Sequence, residues 1–252
     1  MIIRSLYQVS RQMNVLQKKQ ENTAANTANV NTPGYKYQEL IQKSMKEHQV
    51  YNNAGGANNK GRAQLGSLSF GTEIDGAYSV FTPGVLKQTG SATDVALNGP
   101  GFFGVTTEDG QMAFTRNGNF VISEDRRLVT KEGYPVLGTR GGNLEEIFVY
   151  GDELTIGRNG EINGTNLKLY TADFADYANL ELRGETLYLG ANGAFNPVDA
   201  EMEQGYLESS NVDVMDEMIK MMEVSREFQS NQRVLSVLNE TLQKTVNEIG
   251  RN

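Results

Sequence analysis

Four pairs of acidic side chains stand close together along the 252-residue sequence: Glu124/Asp125, Glu145/Glu146, Asp152/Glu153 and Asp173/Asp176. Two carboxylates facing each other across a cleft can hydrolyse a glycosidic bond, one as the acid and the other as base or nucleophile. Each of these pairs, however, adjoins a turn signal, where Asp and Glu are ordinary solvated residues. The string Gly99-Pro100-Gly101-Phe102-Phe103-Gly104 fits G-x-G-x-x-G, with Glu124 about twenty residues on, but a dinucleotide site needs a helix after the glycines to receive the pyrophosphate. The residues that follow, Val105 to Gly110, read as a strand and a hairpin turn, so these glycines serve a tight turn. His48 is the only histidine and cysteine is absent, which excludes thiolate metal sites, disulfides and thiol nucleophiles and leaves little for a triad. Asn163-Gly164-Thr165 and Asn239-Glu240-Thr241 match the glycosylation pattern, one in a turn and one on a helix face. No catalytic residue, metal, cofactor or small-molecule substrate is assigned.

The elements that carry these residues fall into two periodicities. At the N-terminus Ile2, Leu6, Val9, Met13, Leu16, Gln20, Thr23, Thr27 and Val30 alternate at four and three, the spacing of a coiled-coil seam. Asn31-Thr32-Pro33-Gly34 stops that helix, because the residue before a proline is turned away from helical angles and glycine accepts the left-handed exit. At the C-terminus Val214, Met218, Met221, Ser225, Phe228, Gln232, Leu235, Asn239, Leu242, Val246 and Ile249 repeat the pattern. Ser225, Gln232 and Asn239 form one polar row in that seam. Ser210 and Asp213 resemble a capping box, with Asp213, Asp216 and Glu217 where the helix dipole favours negative charge.

Met215 and Met222 lie off the seam, so the C-terminal helix is apolar over a wider arc than one partner covers. Methionine also suits a surface that meets several different neighbours. Residues 1–34 carry four basic side chains against one acid, and residues 206–252 carry five against eight, a hint that the two ends pair. Long helices with so much apolar surface are expected to be stable only when bundled with other chains.

Between the helices the period becomes two and turn signals crowd in. Asn-Gly occurs at 98–99, 117–118, 159–160, 163–164 and 192–193, and Asp-Gly at 75–76 and 109–110. Strands are expected near 102–107, 111–116, 119–123, 127–130, 134–138, 146–149, 154–157, 167–173, 180–183 and 186–189, with Met112/Phe114, Phe120/Ile122 and Tyr134/Val136 each giving one buried face. Residues 35–80 include the Gly/Asn-rich stretch YNNAGGANNKGRAQLG and read as an extended linker. The expected fold class is therefore α+β. Terminal helices (1–34 and 206–252) form a coiled-coil-like helical domain, 35–80 links, and 81–205 is an antiparallel β-rich domain. The formal net charge of −8 argues against nucleic acid as a partner. The N-terminus has no continuous apolar stretch of signal-peptide length.

Four segments then carry a family resemblance. AANTANVNTPGYK (24–36) resembles the N-terminal motif of bacterial flagellar rod and hook axial proteins. LKQTGSATDVALNGPGFFGV (86–105), with FTRNGNF (114–120) and LVTKEGYPVLG (128–138), is similar to their central domain. GYLESSNVDVMDEM (205–218) matches their C-terminal signature. The N-terminal motif usually has Leu-Ala where this chain has Thr27-Ala28, which makes the helix end more polar. The chain's size resembles a basal-body rod protein of the proximal or distal kind more than the longer hook subunit.

The resemblance implies a rod building block in the basal body of the cell envelope, exported unfolded through the flagellar type III apparatus without a cleaved signal. Its copies would stack helically on one another and on neighbouring rod and hook proteins, the terminal helices lining an export channel and transmitting torque. The assembly contacts would then fall on Leu6, Val9, Met13, Leu16, Val30, Met218, Met221, Phe228, Leu235, Leu242 and Val246. Asn29, Asn31, Gly34, Tyr35, Asn211 and Asp213 are the motif positions expected to act structurally. An oligomeric coiled-coil surface adhesin with a β-rich head is the alternative, and a carbohydrate-active β enzyme would need convergent carboxylates.

Overall fold

A computed structural model of the chain describes residues 2–52, 63–150, 154–190 and 195–249. Its contacts divide the chain into two units, one built from 1–27, 38–78 and 214–252, the other from 28–37 and 79–213. Among the described residues no helix is long and apolar enough to cross a membrane.

The first unit holds both helices. Helix α1 (Ile2–Ala28) ends two residues before Val30, which lies in the turn beyond it rather than on the seam. The cause is local: Thr32 donates its backbone N–H to the Asn29 carbonyl (3.1 Å) and its hydroxyl to Asn29 Oδ1 (3.0 Å), so the chain turns ahead of Pro33. Helix α2 (Val214–Ile249) runs for 36 residues, roughly 54 Å at about 1.5 Å per residue. It starts at Val214, not at Ser210. The Ser210 hydroxyl accepts from the Val212 N–H (3.2 Å) outside the helix, and Asp213 immediately precedes the first turn.

Where the sequence reads as a linker, the same unit forms strands: β1 (Gln38–Ser44), β2 (His48–Asn52), β3 (Ala63–Leu68) and β4 (Thr72–Ser79). β1 pairs with β4 and β2 with β3. These strands escape a period-two reading because β2 and β3 keep their described side chains largely in solvent and show no buried face. The segment also grips α1. Asn26 donates Nδ2 to the Gln38 carbonyl (3.0 Å) and accepts its N–H (3.0 Å), Asn22 bonds the same carbonyl (2.7 Å), and Thr72 donates its hydroxyl to Gln12 Oε1 (3.1 Å). Helix α1 is thus held along a row through Gln12, Val15, Asn22 and Asn26, beside the seam that spacing alone picks out.

The second unit is the antiparallel β domain. Its strands are β5 (Leu86–Gln88), β6 (Val95–Asn98), β7 (Phe102–Thr106), β8 (Met112–Thr115), β9 (Phe120–Ile122), β10 (Leu128–Thr130), β11 (Leu137–Arg140) and β12 (Asn143–Glu146). There follow β13 (Lys168–Leu169), β14 (Thr171–Phe174), β15 (Leu180–Arg183), β16 (Leu187–Gly190), β17 (Phe195–Pro197), β18 (Glu201–Gln204) and β19 (Tyr206–Glu208). A six-stranded sheet in the order β15-β16-β8-β7-β14-β17 forms its centre. β7 directly follows Gly101 and takes in Gly104, so a strand stands where a nucleotide site would need a helix.

Alternation along β7 sends Phe103 and Val105 to one face of this sheet and Phe102 to the other, and both faces are buried. On the first, Phe103 and Val105 pack with Val95, Phe120, Leu128 and Ile147; on the second, Phe102 packs with Phe114, Phe174 and Tyr188. One expected pair separates: Phe120 is buried while Ile122 is exposed. Residues 154–157 form no strand; they are held by the isolated bridge Ile156↔Ile162. Asn192-Gly193 and Asp152/Glu153 lie outside the described residues.

Candidate assembly site

The exit from α1 is built around Gly34. Its φ of +70° is the left-handed conformation that only glycine adopts without cost. A Cβ at this position would lie 2.4 Å from the Arg116 carbonyl carbon and 2.4 Å from the Asn117 nitrogen, so the backbone of 116–117 fills the space a side chain would need. The Gly34 N–H donates to the Glu208 carbonyl (2.8 Å), and the Tyr35 N–H to the Thr32 carbonyl (3.3 Å). Tyr35 is buried, and Asn31 is exposed. Asn211 closes the other side. Its Oδ1 accepts the Tyr37 N–H (2.7 Å), while its Nδ2 donates to the carbonyls of Val80 (2.8 Å) and Thr82 (3.2 Å) and to the Thr82 hydroxyl (2.8 Å).

Next to this turn lies a charge cluster that sequence reading missed. Lys36, Glu208 and Arg116 are 1%, 2% and 5% exposed. Lys36 Nζ bonds Glu208 Oε1 at 2.6 Å and the Thr82 carbonyl at 2.9 Å. Arg116 Nη1 lies 3.4 Å from Glu208 Oε2, donates to the Gly99 carbonyl (2.8 Å), and its guanidinium sits 5.2 Å from the centre of the Phe102 ring. The Gly84 N–H also donates to Glu208 Oε1 (2.8 Å). One carboxylate therefore serves two buried cations, and among the described residues Arg116 Nε has no hydrogen-bond partner. Burial pulls the Lys36 ammonium below the ordinary lysine range, with Glu208 opposing. Such a cluster works as a clasp: it ties together three distant parts of the chain, the turn after α1, the end of β8 and the end of β19.

Tyr188, fully buried in the second core cluster, gives a pH signature. Burial pushes its phenol up to about 12. Unfolded, it would titrate near the ordinary tyrosine value of 10.0, so the folded state keeps a proton that the unfolded state loses. The stability this contributes is whole below pH 10 and is lost as pH rises through about 12. Lys36 has the opposite sign just below 10.5, since its lowered value makes stability rise with pH there. Tyr188→Phe is therefore expected to flatten the fall in urea midpoint between pH 10 and about 12 relative to the natural chain. Parallel curves would remove Tyr188 as the cause.

Within the first unit, the helices carry the positions expected to make assembly contacts. In α1 Leu16 is buried and Leu6, Val9 and Met13 are half-buried; in α2 Met221, Phe228, Leu235 and Leu242 are half-buried. Met218 and Val246 are not covered, with 51% and 66% of their surface in solvent. Met215, Ile219, Met222, Val234 and Val237 are exposed with them, so α2 shows apolar side chains on more than one side. Contacts between the helices include Gln12 Nε2 to Glu227 Oε1 (3.2 Å) and Asn26 Nδ2 to Glu217 Oε2 (3.3 Å). Lys18 pairs with Glu21 and Lys220 with Glu217, each within its own helix, and Arg11 bonds the Tyr7 hydroxyl. Glu217 is buried, a feature that only its place one turn into α2 could have flagged.

The carboxylate pairs have ordinary roles. Arg127 bonds Glu146 (3.0 Å) and lies 3.8 Å from Asp125, and Arg140 lies 3.8 Å from Glu145. Asp173 accepts the Tyr177 hydroxyl (2.8 Å), and Asp176 accepts the Ala178 N–H (2.9 Å). His48 is exposed, its ring edge-on to Phe70. Among the described residues no three His, Asp or Glu side chains cluster so as to hold a metal.

Three family models match the chain. Residues 8–36 match that of the flagella basal body rod protein, 96–164 that of the flagellar hook protein FlgE/F/G D1 domain, and 203–248 that of the flagellar basal body rod FlgEFG protein C-terminal region. Lys36, Arg116 and Glu208 fall one in each matched segment. Among individual proteins, the chain is similar to the flagellar basal-body rod protein FlgG of Bacillus subtilis, at 33% identity over 98% of the chain and 99% of that protein. It is also similar to FlgG of Buchnera aphidicola from Schizaphis graminum (30%; 87% and 89%) and to the rod protein FlgF of Caulobacter vibrioides (30%; 96% and 96%).

Proposed function

The chain belongs to the flagellar basal-body rod protein family, and from that premise we propose that it polymerises through its terminal helices into a segment of the rod. It is a structural subunit, and its place is the flagellar basal body. The observation that carries the assembly reading is the exposed apolar arc of α2, in which Met215, Met218, Ile219 and Met222 leave about half or more of their surface in solvent. Surface of that kind is buried by neighbours when subunits stack in a heterologous, non-closing contact. The neighbours are further copies of the chain and the adjoining rod and hook proteins. Torque transmission, an export channel lined by the helices, and passage through the flagellar type III apparatus belong to the same proposal. Nothing found favours the adhesin reading.

Met218→Asp tests it. Met218 is exposed in the monomer, so the variant is expected to keep its helicity and to change stability by no more than about 0.5 kcal/mol. The same charge placed in a packed helical interface is expected to abolish rod completion. Expressed in place of the natural chain, the variant should leave cells non-swimming, with purified basal bodies lacking this segment. Normal basal bodies and swimming would remove the α2 arc from the assembly contacts.

A further inference from the structure

We propose that Asn163 is a site of spontaneous deamidation, the most reactive of the four Asn-Gly sequences among the described residues, and that the fold sets this order. Asn-Gly pairs are the most prone to this reaction because glycine has no side chain to hinder attack by its own backbone nitrogen. All four share that dipeptide. Their surroundings differ.

Asn117 is buried, and its Oδ1 is held by the Asn119 N–H (3.1 Å). Asn159 accepts the Glu161 N–H (3.3 Å), and the nitrogen that would have to attack, that of Gly160, is committed to the Gly157 carbonyl (2.9 Å). Asn98 lies in β6, in ladder register with Glu201 of β18, and its Nδ2 reaches that carboxylate (3.4 Å). Asn163 is held only through its own backbone N–H, on the Thr155 carbonyl (2.9 Å), and not through its side chain. Residues 163 and 164 are exposed, the Asn163 side chain makes no hydrogen bond among the described residues, and neither does the Gly164 N–H. Gly164 has a φ of +78° with no atom within 4 Å of a hypothetical Cβ, so the space beside it is open.

In the reaction the Gly164 nitrogen attacks Cγ of Asn163. The new N–Cγ bond closes a five-membered succinimide, the Cγ–Nδ2 bond breaks, and ammonia leaves with the proton from the Gly164 nitrogen. Water then opens the ring at either carbonyl, giving aspartate or isoaspartate. The product adds one negative charge to a cavity of about 860 Å³ already lined by Glu161 and Lys168. In the isoaspartate form an extra methylene enters the backbone of a turn closed by the Thr165 N–H on the Ile162 carbonyl (3.2 Å).

The test is incubation of the full chain at 37 °C in mildly alkaline buffer, followed by peptide mapping with an isoaspartyl-specific methyltransferase. Asn163 is expected to convert at least about tenfold faster than Asn98, Asn117 or Asn159, equivalent to ~1.4 kcal/mol of extra opening free energy at the restrained sites. In concentrated urea the four rates should converge. Asn163→Gln, which replaces a side chain with no bond to lose, should fold normally and lack the fast phase. A folded-state rate at any of the other three equal to that of Asn163, or an order that persists in urea, overturns the proposal.

Discussion

Gly34→Val is expected to lose at least about 4 kcal/mol of stability, from the cost of a branched residue at positive φ together with backbone overpacking. The second contribution decides the size. A Cβ at Gly34 meets the backbone of Arg116 and Asn117 at 2.4 Å, and no rotamer change relieves contact with main-chain atoms. Relief requires the α1 exit to move, which breaks the Gly34 N–H bond to Glu208 and opens the pocket around Lys36. Urea unfolding followed by tyrosine fluorescence reports this directly, since the chain has no tryptophan. Gly90→Ala is the control. Gly90 has a similar φ of +75° with nothing within 4 Å, so its cost should be near 1 kcal/mol, conformational alone. Equal losses at 34 and 90 would show that the close approach to residues 116–117 does not constrain the turn.

Glu208→Gln should cost about 3–5 kcal/mol, the range for removing one partner of a buried ion pair. Glutamine conserves the volume and can still accept from the Gly84 N–H, so packing is not what is lost. What is lost is the charge of the one carboxylate that, among the described residues, pairs with both buried cations. Lys36→Met in the same background is expected to recover part of the loss, because it removes a charge left without a counterion. The double variant should therefore be more stable than the sum of the single losses predicts, by roughly 1–3 kcal/mol. Strict additivity in a urea double-mutant cycle would mean that the two side chains do not act as a unit.

Much of this architecture is legible in the residues. Heptad spacing locates both helices because apolar side chains must recur on one face, and Pro33-Gly34 marks the exit because backbone sterics leave few choices there. Alternation with Asn-Gly and Asp-Gly turns locates β7 and β8, where each side chain has a fixed face. The failures also have physical causes. β2 and β3 bury no described face, so no alternation betrays them. β5, β6, β18 and β19 are three or four residues long and defined by partners more than 100 positions away, as Thr89 with Gly205 illustrates, 116 apart. Lys36, Arg116 and Glu208 resemble any surface charges until the chain is folded, because burial with a counterion is a tertiary property. The seam residues Met218 and Val246 are correct as apolar positions, but spacing cannot say whether their cover comes from the same molecule.

The separation of the clasp residues along the chain imposes a timetable. Lys36 and Glu208 are 172 positions apart, and Tyr37 and Asn211 are 174 apart. A polypeptide appearing N-terminus first cannot lock its thirty-sixth residue until most of its length has followed. Contacts of such long range are slow to form, because the loop between them must close before any reward is gained. The bonds at Glu208 are thus late ones, formed only when the strand that carries it has joined the turn after α1.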